Sequence, residues 1–196
     1  MRNSLQDRMP PIADADLTPE QREAAAELAK GPRGAVFGPF VPLLRSPELM
    51  RRVQKTGEYL RYHSALPPRL SEFVILLVSR WWSQGFEWHV HAKIAAEVGV
   101  AKTTIEAIAE GRRPMSMSDE EEIVYEFCME LHINQSVSDQ SYARMLGLFG
   151  ERGIIDLTGL CGYYGMLAMV MNVAQTPVPQ VLENSRGDHV ELKLLL

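Results

Sequence analysis

Gly85-Phe86-Glu87-Trp88-His89-Val90-His91-Ala92-Lys93-Ile94-Ala95 places a carboxylate and an imidazole four residues apart inside an apolar-rich helical pattern. Residues i and i+4 share one face of a helix, so Glu87 and His91 can touch. A carboxylate beside an imidazole fixes its tautomer and raises its basicity, which suits proton transfer. The other reading of the pair is a satisfied buried ion pair with no chemical role. His89 lies two residues from each and points elsewhere, to the helix surface, an interface or a pocket wall. Histidines at i and i+2 do not chelate from a helix, so no metal is expected at this stretch.

Working outward from it, helix signals recur and strand signals do not. Pro67-Pro68 opens a helix with Leu70, Phe73, Val74, Leu77 and Val78 apolar, ending near Ser83 to Gly85. The quoted helix stops at Gly99, and a short one covers Thr103 to Glu110. Upstream, Thr18-Pro19-Glu20-Gln21 combines a cap, a first-turn proline and a capping-box glutamine; Ser46-Pro47-Glu48 starts a helix that runs to about His63. The glycines and prolines from Gly31 to Pro42 read as a loop between these two. Downstream, Ser118-Asp119-Glu120-Glu121 is a second capping box for a helix to about Asn134, Ser138 opens one that ends at Gly150, and a long apolar helix spans about Ile154 to Ala174. Eight helices with short loops predict an all-α bundle. The expected organisation is an arm over residues 1–17, a helical domain over 18–180 and a tail over 181–196, of which Val190 to Leu196 is apolar enough to pack on something.

Composition narrows the class. The 196 residues carry a formal net charge of -5 and no long basic run, so nucleic acid is not an expected partner. Two cysteines, Cys128 and Cys161, give neither a disulfide framework nor a zinc spacing, and a reducing cytoplasm fits best. The first residues hold no apolar signal core. The run from Ile154 to Ala174 approaches membrane length, but Asp156, Asn172 and glycines at 159, 162 and 165 favour a buried helix that a neighbour approaches closely.

Leu66-Pro67-Pro68-Arg69-Leu70-Ser71-Glu72, followed by Phe86-Glu87-Trp88 and then His91, Ala95 and Gly99, resembles the carboxymuconolactone decarboxylase family, which shares the alkylhydroperoxidase D-like fold. Glu72 and Glu87 match the family's glutamates, and Gly38-Pro39-Phe40 through Leu49 looks like its substrate-side loop and second helix. The peroxidase branch of that fold uses Cys-x-x-Cys-x-x-x-His; here Gln84 and Glu87 stand in place of both cysteines. Reducing a peroxide by that route needs a thiolate and a resolving thiol, so thiol peroxidase chemistry is not expected. Cys128 and Cys161 read as small buried hydrophobes.

The resemblance implies a cofactor-free decarboxylation of an unsaturated lactone acid from aromatic-compound breakdown. His91 is the candidate acid/base, with Glu87 orienting it and Glu72, from the preceding helix, completing a relay; a first-turn glutamate complementing the helix dipole is the other reading of Glu72. Arg33, in Gly31-Pro32-Arg33-Gly34, is the candidate carboxylate clamp, or else an ordinary loop arginine. Tyr164, or its neighbour Tyr163, could add a hydroxyl donor. Trp88 is a further substrate-side candidate, with core or interface as its alternative, as for Trp81 and Trp82. His63 and His132 sit near helix C-termini, where a positive imidazole is favoured.

Two other readings remain. One is a hydrolase, isomerase or dehydratase on the same fold, since fold does not fix reaction. The other is a regulator, because Ile94 to Ile105 has the spacing of a helix-turn-helix; its second helix, however, carries Glu106 and Glu110 where phosphate contacts need cations. The apolar content of the helices predicts a homo-oligomer, and the resemblance implies a trimer or hexamer.

Overall fold

The computed structural model describes residues 6–179 and Leu192. Those residues form helices and no strand: α1 (Pro19–Lys30), α2 (Phe40–Leu43), α3 (Pro47–Tyr62), α4 (Pro68–Trp81), α5 (Gly85–Glu97), α6 (Lys102–Ala109), α7 (Asp119–Asn134) and α8 (Asp139–Ala174), with a short 3-10 turn at Asp14–Asp16. The expected all-α bundle of about eight helices is therefore what the described residues form. The expected tail over 181–196, with its apolar Val190 to Leu196, lies outside the described residues apart from Leu192.

Local chemistry sets the helix boundaries. The Thr18 and Ser118 side chains each accept from the third backbone N–H of their helix, and the Gln21 and Glu121 side chains return the bond to the cap residue. Gly150 takes φ 63° and ψ -176°, outside helical geometry, and divides α8 into the two limbs that the sequence separates at that residue. One element departs from expectation. Phe40–Leu43 makes a single helical turn inside the stretch read as loop. Phe40, Pro42 and Leu43 are buried there, so burial holds a turn that the flanking prolines and glycines conceal.

α4 is the axis of the bundle. Every residue from Leu70 to Arg80 is buried, so this helix is enclosed on all sides rather than on one stripe. It packs against α3, α5, α6, α7 and α8. The apolar limb of α8 lies in the same core, with Leu157, Leu160, Leu167, Ala168 and Met171 buried. Polar ties fix the neighbours. Buried Asp156 of α8 accepts from the Ala65 N–H at 2.8 Å and from the Tyr59 hydroxyl at 3.0 Å, which pins the α3–α4 connection. Arg69 of α4 bonds Glu120 at 2.8 Å and Glu121 at 2.5 Å on α7. The N-terminal arm runs along the end of α8, where the Arg8 N–H donates to the Ala174 carbonyl at 2.8 Å.

Candidate functional site

Four helices and one connection converge on one small cavity of about 40 Å³. The connection from α1 to α2 brings Arg33 and Phe37, α2 brings Phe40, α5 brings Phe86, Glu87, Val90 and His91, and α8 brings Tyr164 and Leu167; Arg61, from the last turn of α3, completes the wall. Glu87 and His91 share a buried face of α5, as their spacing requires.

They do not pair with each other. The His91 Nδ1 lies 2.6 Å from Glu72 Oε2, while both Glu87 oxygens are buried without a hydrogen-bond partner. The orienting role assigned to Glu87 from i,i+4 spacing thus falls to Glu72. The spacing puts two side chains on one face but does not choose the imidazole's partner, and α4 delivers Glu72 directly to Nδ1. Arg61 Nε stands 3.8 Å from the other Glu72 oxygen. A Glu72 carboxylate accepts the proton on Nδ1, which leaves Nε2 as the free ring nitrogen. The His91 ring also meets Tyr164 edge-on, with centroids 5.1 Å apart.

Glu87 has a different electrostatic character. It is 3% exposed, and burial without any compensating donor holds its carboxyl well above the usual carboxylate range. It therefore carries its proton at pH values where an ordinary glutamate has lost it. One apolar cavity holds a neutral carboxylic acid and an imidazole whose far nitrogen is tied to a second carboxylate.

Arg33 belongs to this cavity, as its loop position suggested. Its guanidinium stacks on Phe40 at 4.7 Å and donates to the Tyr163 hydroxyl at 3.3 Å. Burial pushes the Tyr163 phenol up to about 12, against the opposing pull of Arg33. Tyr164 is on the cavity wall and Tyr163 bonds Arg33, so the adjacent tyrosines divide the two positions considered for one hydroxyl. Gly57 of α3 makes room for both groups: a Cβ there would stand 2.0 Å from the Tyr163 hydroxyl and 2.7 Å from Arg33 Nη2. If Arg33 grips a carboxylated substrate, Gly57→Ala is expected to displace it and raise KM about tenfold, the worth of roughly one charge-assisted hydrogen bond, with a smaller change in kcat; steady-state kinetics check this.

Two sequence readings need adjustment. Trp88, a substrate-side candidate, is 2% exposed and packs in the core rather than on the cavity wall. It follows Glu87 by about 100° around the helix, and that turn points it inward toward the bundle. Arg61 escaped notice because nothing local separates it from Arg51 and Arg52 on the same polar helix. Gln84, in the place of a cysteine of the peroxidase pattern, is a structural cap. Its side-chain oxygen accepts from the Phe86 N–H at 2.6 Å and its amide donates to Asn172 at 2.8 Å. Cys128 and Cys161 are buried between α7 and α8 with sulfurs 3.8 Å apart, and they take no part in the cavity. Among the described residues no group of three or more histidine, cysteine or acidic side chains is gathered closely enough to hold a metal ion.

The all-helical domain thus surrounds a buried imidazole–carboxylate pair and a second buried glutamate without a hydrogen-bond partner. Residues 47–124, from the first turn of α3 into α7, match the Carboxymuconolactone decarboxylase family, which bears out the resemblance seen in the sequence. The match takes in Arg61, Glu72, Glu87 and His91, whereas Arg33 and Tyr164 lie outside it. No curated protein matches the chain at a significant level.

Proposed function

We propose that this protein is a cofactor-free decarboxylase of a small carboxylated lactone, or of a related intermediate in aromatic-compound breakdown. The observation that carries this reading is the buried Glu87 carboxyl, without a hydrogen-bond partner, in the same cavity as His91 and the Arg33 guanidinium. Arg33 and Arg61 hold the substrate's carboxylate and lactone oxygens. The bond from the carboxylate carbon to the ring breaks, carbon dioxide departs, and the electron pair left behind delocalises into the conjugated lactone carbonyl. Glu87 then delivers its proton to carbon, and solvent restores it between turnovers. His91, held by Glu72, presents Nε2 to the substrate and stabilises the charge that develops on oxygen once it is protonated.

The cavity is small beside the roughly 300–1,000 Å³ of most ligand sites. Substrate entry therefore goes with outward movement of the connection that carries Arg33 and the exposed Phe37. The exposed Ile133, Ile155 and Val173 support assembly of identical subunits, with a trimer or hexamer proposed from the family resemblance. A DNA-binding role draws little support, because Thr104, Ile105, Ala107, Ile108 and Ala109 of α6 are buried and so withheld from a groove.

The test is incubation with carboxylated butenolides in deuterated water. The expected result is one carbon dioxide released for each lactone consumed and one deuterium on product carbon. Consumption without carbon dioxide would overturn the decarboxylase reading in favour of a hydrolase, isomerase or dehydratase on the same residues.

A further inference from the structure

A second cavity, about 340 Å³ in volume, opens at the far end of α4. Its walls are Leu77, Trp81, Ile108, Tyr125 and Met129, and into it projects Arg80. None of these residues lines the His91 cavity. Arg80 follows Glu72 by eight residues, about 12 Å along the helix axis at 1.5 Å per residue.

Arg80 is 7% exposed, yet its Nε and Nη1 atoms are buried with no hydrogen-bond partner. Other arginines are supplied with carboxylates: Arg69 meets Glu120 and Glu121, and Arg113 meets Glu122 and Glu126. At the rim of this cavity Glu110 is held by Arg112, whose Nε lies 2.7 Å away. A buried cation with unmet donors is costly unless an anion meets it. The backbone is shaped around it as well. Gly111 adopts φ +72°, and a Cβ there would stand 2.8 Å from Arg80 Nη2, so the missing side chain leaves room for the guanidinium. Burial also draws the Arg80 proton affinity below its ordinary level, consistent with a desolvated charge.

We infer that this cavity is a second ligand site for a monocarboxylate with a compact apolar or aromatic body, its carboxylate on the Arg80 guanidinium and its body against Leu77, Ile108 and Met129. The volume falls in the range of small-molecule sites; Glu110 and Arg112 pair with each other at the rim, so the apolar walls and the Arg80 guanidinium set the class of the body and the position of the head. The site stands apart from the proposed decarboxylation and does not depend on it.

The probes are 4-phenylbutyrate and 4-phenyl-1-butanol, which share a body and differ in charge. They are titrated into the whole protein by calorimetry, with the Trp81 indole resonance followed by NMR. The acid is expected to bind below about 1 mM, to shift the Trp81 signal, and to bind about tenfold more tightly than the alcohol. Arg80→Met should bring the acid down to the level of the alcohol, Arg80→Lys should retain part of the difference, and Arg33→Met in the other cavity should leave the Trp81 shift in place. Equal binding of acid and alcohol, unchanged acid binding in Arg80→Met, or no binding of the acid would each overturn the inference. The comparison of acid with alcohol in the unaltered protein stands even if an Arg80 variant fails to fold.

Discussion

Glu87→Gln is expected to lower turnover by about 10²- to 10⁴-fold, the usual contribution of a positioned acid, and to make the protein more stable at pH 8. The two effects have one cause. The buried carboxyl has no donor to compensate its charge, so the folded protein holds the proton more tightly than the unfolded chain does. Between the ordinary carboxylate value and the raised one, the folded state binds more protons than the unfolded state, and stability falls as pH rises through that window. The contribution is complete below the ordinary value and is lost progressively above it. Glutamine is neutral at every pH and nearly isosteric, so the variant escapes this loss. Thermal melts should show little difference from the parent near pH 4.5 and a higher Tm at pH 8, by about 2–4 °C for each kcal/mol recovered in a chain of this size. The parent's rate should also decline on the alkaline side as Glu87 gives up its proton. Equal melting curves for both proteins across this range would show that Glu87 is not held neutral.

His91→Ala should likewise reduce turnover by about 10²- to 10⁴-fold, and Glu72→Gln by a comparable factor, because the imidazole acts through its bond to Glu72. Residues that work as a unit give strongly non-additive losses. The double variant should thus be scarcely slower than His91→Ala alone, and circular dichroism should report the helicity of the parent. If the two losses multiply instead, Glu72 contributes independently of the ring. If neither variant loses activity on a substrate the parent converts, the assignment of roles fails.

The fold was open to reading from local chemistry because each boundary is signalled by a short-range rule. Thr18 with Gln21, Ser118 with Glu121 and Gly150 each act within a turn of their own position. The Phe40–Leu43 turn escaped because long-range burial, and not a cap or propensity, sustains it. The site was legible to the extent that spacing governs it. Glu87 and His91 do share a face, and the cavity does form on that face. Spacing could not reveal that Glu72 outcompetes Glu87 for the imidazole, since that depends on how α4 lies against α5. Arg61 stayed hidden for the same reason, and spacing left Trp88 open between cavity wall and core because an aromatic beside a reactive residue can face either way.

Arg33 rides on the stretch that, on the proposed reading, swings aside to admit a substrate. The group proposed to grip the incoming acid is then mounted on the door, and capture and closure would be a single event. Decarboxylation would destroy the handle by which the door is held shut, so that loss of carbon dioxide would loosen the latch from within and release the product.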